Sequence, residues 1–357
     1  VPGFVMPVMA EHAGTLNRYP PNEGIPELRE AASAWLARRY GVPEARRDPE
    51  RCIFPLNGTR EGLFNACLAL CPETKNAARP AVLMPNPFYQ CYGAAALAVG
   101  AEAVYVPATA ATGHLPDYAA LPAEVLDRTA LVYICAPANP QGAVADADYW
   151  RRLLALAERH DFKVLADECY SEIWRDTPPT GVLEVATAED ADPERVVAFH
   201  SLSKRSNLAG LRSGFVCTGP ANRAALLQLR SYGGAPMPIP AQHAAAAAWS
   251  DEAHVEANRA LYREKFDIAD RLLGNLPGYS APEAGFFLWL GVADGERAAL
   301  DLWARAGVKA LPGAYLSRSV PDWLGGGDPG AGYLRVALVA PAAEVERGLA
   351  AVADVLG

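Results

Sequence analysis

Between residues 81 and 217 the chain alternates short apolar runs with longer amphipathic stretches. The runs are Ala81–Met84, Ala103–Val106, Leu131–Cys135, Val164–Ala166, Val196–Phe199 and Gly214–Cys217. Helical spacing lies between several of them, as in Asp146–His160. Strands without polar alternation bury both faces, and strands separated by helices cross over rather than turn back. The pattern predicts an α/β fold with a mainly parallel sheet covered by helices on both sides.

The flanking segments read differently. Val1–Asn17 is irregular, and Tyr19–Gly24 is a Pro/Gly turn. PELREAASAWLARRYG has helical spacing, opened by Pro26 and closed by Gly41. A short strand, Cys52–Leu56, leads into a helix that begins near Gly58 or Thr59. Ala221–Ser231 is helical, and Ala241–Leu276 holds one or two helices. Towards the end, Phe286–Leu290, Val308–Leu311 and Tyr333–Leu338 read as strands, with helices at Leu300–Ala306 and Ala343–Val355. Few strands with helices on one side predict a smaller α+β unit. The expected division is a large domain over residues 15–270 and a small one from residues 1–14 and 271–357.

Charge and cysteine usage narrow the class. The formal charge is -9 and no basic run or stripe occurs, so no nucleic-acid partner is expected. Seven Cys without a C-x-x-C pair suit reduced core thiols of a cytoplasmic protein. None of the six His has metal-ligand spacing, so no metal is expected. Neither a signal peptide nor a membrane-spanning apolar run is visible, which predicts no membrane partner.

The chemistry concentrates in FHSLSKRSNLAGLRSGF, residues 199–215. The chain has five Lys against 27 Arg, and only Lys204 stands among hydroxyls just past a strand end. That end of a parallel strand is where α/β proteins hold ligands. A desolvated Lys can lose its proton and attack an aldehyde, which Arg cannot do. A single Lys is more often a solvated cation, so the case rests on its company.

That company suits an aromatic cofactor bearing a phosphate. Gly58, Thr59 and Arg60 open a helix, where free N–H groups and the helix dipole attract phosphate. Ser201, Ser203 and Arg212 add donors, Arg212 following Lys204 by eight residues. Asp167, at the end of the Val164–Ala166 run, could keep a pyridine nitrogen protonated. Tyr89 follows MPNPF, Asn139 lies in APANPQG, and Tyr170 is three residues past Asp167. These could stack on a ring and reach its oxygen. Each alone equally fits a cap, a turn or a core position; together they converge on strand ends.

The ordered set Y-x-x-x-x-G, G-T-R, P-F-Y, N-P-Q-G, D-x-x-Y, S-L-S-K, the later Arg and Y-L-R resembles the class I/II aminotransferases. The likeness runs from Tyr19 to Arg335. It implies pyridoxal-phosphate-dependent transferase fold type I, and pyridoxal 5'-phosphate held covalently by Lys204, which also moves the substrate α-proton. It implies that Asp167 pairs with the ring nitrogen, that Asn139 and Tyr170 contact the phenolic oxygen, and that Tyr89 stacks on the ring. Gly58, Thr59, Arg60, Ser201, Ser203 and Arg212 would hold the phosphate. Tyr19 would reach the cofactor of a partner subunit, making a homodimer, and Arg335 with Asn139 would bind the substrate α-carboxylate. The substrates implied are small amino acids and 2-oxo acids.

A narrower likeness, through SLSKRSNLAGLRSGF, LRSYGGAPMPIPAQHAAAAAWSDEAHV, FFLWL and LPGAYLSR, is to the bacterial succinyldiaminopimelate transaminases. It implies N-succinyl-LL-2,6-diaminopimelate and 2-oxoglutarate as the substrate pair, in lysine biosynthesis. Arg18, Arg205 and Arg318 are candidates by position for the distal carboxylates, and Tyr232–Pro238 for a channel wall. The family's amino-terminal arm, with its Gly-Glu-Pro element, has no counterpart here, and truncation or disorder is the expected reason. N-P-Q-G replaces the commoner N-P-T-G. An aspartate, aromatic or broad-range aminotransferase is the alternative. Ser201–Lys204 also spells the S-x-x-K of serine acyl hydrolases, but the partner strings S-D-N and K-T-G are absent. A regulatory domain on the same fold would carry a basic DNA-binding segment, and none occurs.

Overall fold

The computed structural model describes residues 1–357. Seven strands form one sheet: β1 (Ile53–Leu56), β2 (Ala81–Asn86), β3 (Glu102–Pro107), β4 (Thr129–Cys135), β5 (Lys163–Asp167), β6 (Val196–Ser201) and β7 (Gly214–Thr218). Their spatial order is β1-β7-β6-β5-β4-β2-β3. The pairs from β3 across to β6 are parallel, while β7 runs antiparallel to both β6 and β1. A second, antiparallel sheet has the order β8-β10-β9, from β8 (Phe287–Gly291), β9 (Leu311–Pro312) and β10 (Tyr333–Ala337).

Helices fill the connections. Before β2 lie α1 (Val5–Glu11), α2 (Pro26–Tyr40), α3 (Glu44–Arg47) and α4 (Thr59–Leu70). Between β2 and β7 lie α5 (Gln90–Ala98), α6 (Ala123–Asp127), α7 (Ala147–His160), α8 (Val182–Ala188) and the single turn α9 (Leu202–Arg205). Then follow α10 (Pro220–Gly233), α11 (Ile239–Ser250), α12 (Ala253–Leu273), α13 (Gly295–Ala306) and α14 (Ala342–Leu356). No helix is long and apolar enough to cross a membrane.

The apolar runs are explained by two cores on opposite sheet faces. Val132 and Ile134 of β4 join one cluster, while Leu131 and Tyr133 join the other. Val196 and Ala198 of β6 likewise face away from Val197 and Phe199. Successive side chains of a strand point to opposite faces, so a sheet sandwiched by helices demands apolar residues at both. A third cluster lies under the small sheet and joins α12, α13 and α14 to β8 and β10.

The amino terminus differs from the irregular segment expected. Val5–Glu11 is a helix and Ala13–Asn17 a 3-10 turn. Pro7 sits in the first turn of α1, where N–H groups have no intrahelical acceptor, so its missing donor costs no helical bond. Val5 is 3% exposed and shares a core with α2 and α11. Phe4, Val5, Val8 and Met9 thus pack against the core shared by α2 and α11. Val308–Leu311 also differs: only Leu311 and Pro312 pair, because Gly307 ends α13 in a left-handed conformation (φ 65°) and the chain meets β10 only at Leu311. Ala241–Leu276 resolves into two helices, α11 and α12, broken where Asp251 turns extended.

Candidate active site

The sheet topology gathers the chemistry at one edge. β2, β4, β5 and β6 are parallel, so Asn86, Cys135, Asp167 and Ser201 end together. β7 starts where β6 ends, with Gly214 opposite Ser201, which brings Arg212 to the same edge. Leu56 at the end of β1 stands opposite Gly214, so Gly58 and Thr59 arrive there too. Chain order reverses between β2 and β4, and the loops after these two strands carry Tyr89 and Asn139. Such a switch point leaves a crevice.

The crevice is a cavity of about 480 Å³. Thr59, Arg60, Tyr89, Asn139, Asp167 and Tyr170 line it, and so do Ser201, Ser203, Lys204, Arg212 and Arg335. Gly58 is not among them but lies against the Arg212 guanidinium. Tyr19 is absent from this set; its side chain is fully exposed, at 100%.

Lys204 lies on α9, a single helical turn directly after β6. Its amine is 5.2 Å from the Phe286 ring centre and 5.9 Å from that of Tyr170. Burial pulls its pKa below the ordinary lysine value, and the Arg212 and Arg335 charges push the same way, against Cys169 and Asp167. A larger fraction of the amine is therefore free to act as nucleophile or base than on an exposed Lys.

Asp167 is 5% exposed. Tyr92 donates its hydroxyl to Oδ2 at 2.8 Å, and the backbone N–H of Cys169 donates to Oδ1 at 3.3 Å. Burial nevertheless raises the carboxyl pKa. No cation is paired with it, so it is poised to take a protonated partner from the cavity.

Arg335 comes from β10 of the other sheet. Its Cζ is 4.4 Å from the Phe287 ring centre, and Nη1 donates to Asn139 Oδ1 at 3.4 Å. Burial lowers its pKa, yet guanidinium stays charged. It has no carboxylate partner within the chain, which leaves its fork free for an acid in the cavity.

At the opposite end Gly58 has φ +79°, and a Cβ there would lie 2.3 Å from Arg212 Nη2. Only glycine permits the guanidinium to lie against this backbone. Arg212 is itself left-handed (φ 57°), and its Nη1 donates to Ala209 O at 2.9 Å. Thr59 Oγ1 meets Cys169 Sγ at 3.0 Å, and Ser201 Oγ accepts the Ser203 N–H at 3.1 Å. Arg60 hydrogen-bonds Tyr89 through Nε, and its Cζ lies 5.7 Å from the centre of that ring.

These features fit pyridoxal phosphate. An unpaired buried carboxylate suits a protonated ring nitrogen, and the Gly58–Arg212 cradle with its hydroxyls and helix N-terminus suits a phosphate. A partly desolvated amine stands in the same cavity. All seven cysteines are free, and no cluster of His, Cys, Asp or Glu has a metal-binding arrangement.

Sequence reasoning missed Tyr92, Cys169, Phe286 and Phe287. Tyr92 stacks on Tyr133 at 4.4 Å while bonding Asp167; its sole signal was a polar tip on an otherwise apolar helix. Among the candidates for distal carboxylates, Arg205 is 2% exposed and ion-paired to Glu252 away from the cavity. Arg318 lies 5.3 Å from the Phe88 ring centre and donates to Ser317 O at 2.9 Å. Lys265 of α12 is buried at 8% exposure against Tyr262.

Known proteins resemble this chain along nearly its whole length. The family described as Aminotransferase class I and II matches residues 5–352. An LL-diaminopimelate aminotransferase of Dehalococcoides mccartyi is 32% identical over 344 residues, 95% of this chain and 83% of its own. A solved aminotransferase of Neisseria meningitidis superposes with a TM-score of 0.92 at 37% identity, covering 100% of this chain and 89% of that one. A probable N-succinyldiaminopimelate aminotransferase of Thermus thermophilus has a TM-score of 0.85 at 27% identity, covering 99% of this chain and 91% of that one. The chain belongs to the class I and II aminotransferases, pyridoxal-phosphate-dependent enzymes that move amino groups between amino acids and 2-oxo acids.

Proposed function

We propose that this enzyme transfers the amino group between N-succinyl-LL-2,6-diaminopimelate and 2-oxoglutarate, in the cytoplasm, as a homodimer. The observation that carries the reading is a cavity lined by a partly desolvated lysine together with Arg335 and Arg60, two guanidinium groups without a carboxylate partner. Arg335 offers its fork to an α-carboxylate, while Arg60, expected at the phosphate but hydrogen-bonded to Tyr89, offers a second cation to a distal acid. The long sequence likeness to succinyldiaminopimelate transaminases supports the succinylated substrate. LL-diaminopimelate itself is the second reading, favoured by relatives of that name at 31–34% identity.

Bound pyridoxal phosphate supplies an aldehyde for the amine and a ring that accepts electron density. Lys204 would hold the cofactor covalently, and its freed amine would take up the substrate α-proton and give it back. Asp167 would keep the ring nitrogen protonated, helped by the Tyr92 hydroxyl that fixes one of its oxygens. Tyr170 and Asn139 would hold the ring oxygen, and Tyr89 would stack on the ring. Arg212, Ser201, Ser203 and the N–H groups at Gly58 and Thr59 anchor the phosphate. Arg335 orients the α-carboxylate so that the α-hydrogen faces Lys204.

Substrate profiling decides between the readings. The expected result is glutamate formation from 2-oxoglutarate with the succinylated donor at a kcat/KM at least about tenfold above that for free LL-diaminopimelate, a gap of about 1.4 kcal/mol. The reverse order establishes the second reading, and preference for aspartate or aromatic donors discards both.

A further inference from the structure

The helix that carries Lys204 is one turn long. Its last carbonyls lack intrahelical donors, and so short a helix has no cooperativity of its own. Support comes from the start of α12. Asn258 Nδ2 donates to the Lys204 carbonyl at 3.2 Å and to the Arg205 carbonyl at 3.4 Å. Beside it, His254 Nε2 meets Ser206 Oγ at 2.8 Å, and His254 Nδ1 meets Asp251 Oδ1 at 2.6 Å. Ser206 is the residue that ends α9.

The Ser206–His254–Asp251 chain has the bond order of a hydrolytic triad, but Ser206 is 1% exposed and lies outside the cavity. No substrate reaches it, so the chain holds rather than reacts. Arg205 adds a third tie, donating to Ala248 O at 2.7 Å and to Glu252 at 2.7 Å. The junction of α11 and α12 thus grips α9 from behind while Lys204 faces the cavity.

We infer that Asn258, backed by Asp251, His254 and Ser206, is a positioning residue that aims the Lys204 amine by holding its own carbonyl. The inference rests on the role proposed for Lys204. Without the amide, α9 frays and the amine samples a wider volume, which slows proton transfer while leaving acid binding at Arg335 untouched.

Three variants of the holoenzyme test this. Asn258→Leu keeps the bulk and removes the donor; Asn258→His restores a donor. Ala257→Gly weakens α12 at an exposed position without touching α9. Borohydride reduction with peptide mapping locates the cofactor, and kcat, KM and the pH midpoint of the visible band are measured. The expected result is cofactor on Lys204 in every variant. In Asn258→Leu, kcat should fall about tenfold with KM within about twofold, and the band midpoint should move by about half a unit or more. Asn258→His should recover most of this, and Ala257→Gly should match the parent. Parent-like kcat and midpoint in Asn258→Leu overturn the inference, as does an equal loss in Ala257→Gly. Cofactor reduced onto a residue other than Lys204 instead overturns the reading of Lys204 itself.

Discussion

Burial gives the site's ionisable groups their character one at a time. Lys204 is held below its ordinary pKa and Asp167 above it, each by desolvation, and each needs a partner from the cavity. Lys204→Ala is expected to abolish turnover, and retained activity of even about one percent, a barrier cost of only about 2.7 kcal/mol, would remove it from the role. Arg335→Lys replaces a fork by a point charge. A rise in KM and a fall in kcat/KM of about a hundredfold should follow for every carboxylate substrate, read by steady-state kinetics. Glu168, next to Asp167, is a different case. Its Oε1 accepts the Val182 N–H at 2.6 Å, and His200 Nε2 stands 3.7 Å from Oε2. Burial raises Glu168 to about 7 and lowers His200 to about 3, so near pH 5 both are neutral and the contact is not an ion pair. A raised carboxyl favours folding below its unfolded value of 4.5, and that contribution is lost as pH climbs through 7. A lowered imidazole does the reverse, costing stability as pH falls below its unfolded value of 6.5. Glu168→Gln should therefore gain thermal stability relative to the parent between pH 5 and pH 8, by up to about 3 kcal/mol. A difference independent of pH refutes this.

At the scale of elements, the turn from β1 into α4 is the most constrained. Gly58→Ala must both adopt a backbone conformation (φ 79°, ψ 154°) almost confined to glycine, at about 1–3 kcal/mol, and displace the Arg212 guanidinium. Cofactor affinity, measured by equilibrium titration, is expected to drop about tenfold or more while the fold survives. The central strands were legible because burial on both faces leaves a run of apolar residues that nothing else explains, and the observed ends fall close to those predicted. The strand ends then placed Lys204, Asp167, Asn139, Tyr170 and Arg212 near one another, and the cavity brings them together. Elements defined by a tertiary partner were not legible. α1 exists because α11 offers it an apolar seat, and α9 is too short to show a period. Tyr92 and Asn258 each act through one polar atom, the first a lone hydroxyl on an apolar stretch, the second one polar side chain among many on α12, and neither shows its tertiary partner in the sequence.

For the whole molecule, the exposed Tyr19 is the feature that asks for a second copy. If each site borrows this residue from its neighbour, Tyr19→Ala and Lys204→Ala proteins, each impaired alone, should regain activity when unfolded and refolded together. Mixed dimers hold one intact site, so no recovery would place Tyr19 outside the shared site. The cavity itself draws on residues from Thr59 to Arg335, and the last of these lies in β10 of the second sheet. During synthesis, therefore, the ribosome must release the chain through β10 before any cofactor can meet a complete set of ligands. Until then the nascent chain can offer a phosphate cradle and a lysine, but not the arginine that holds an acid in place.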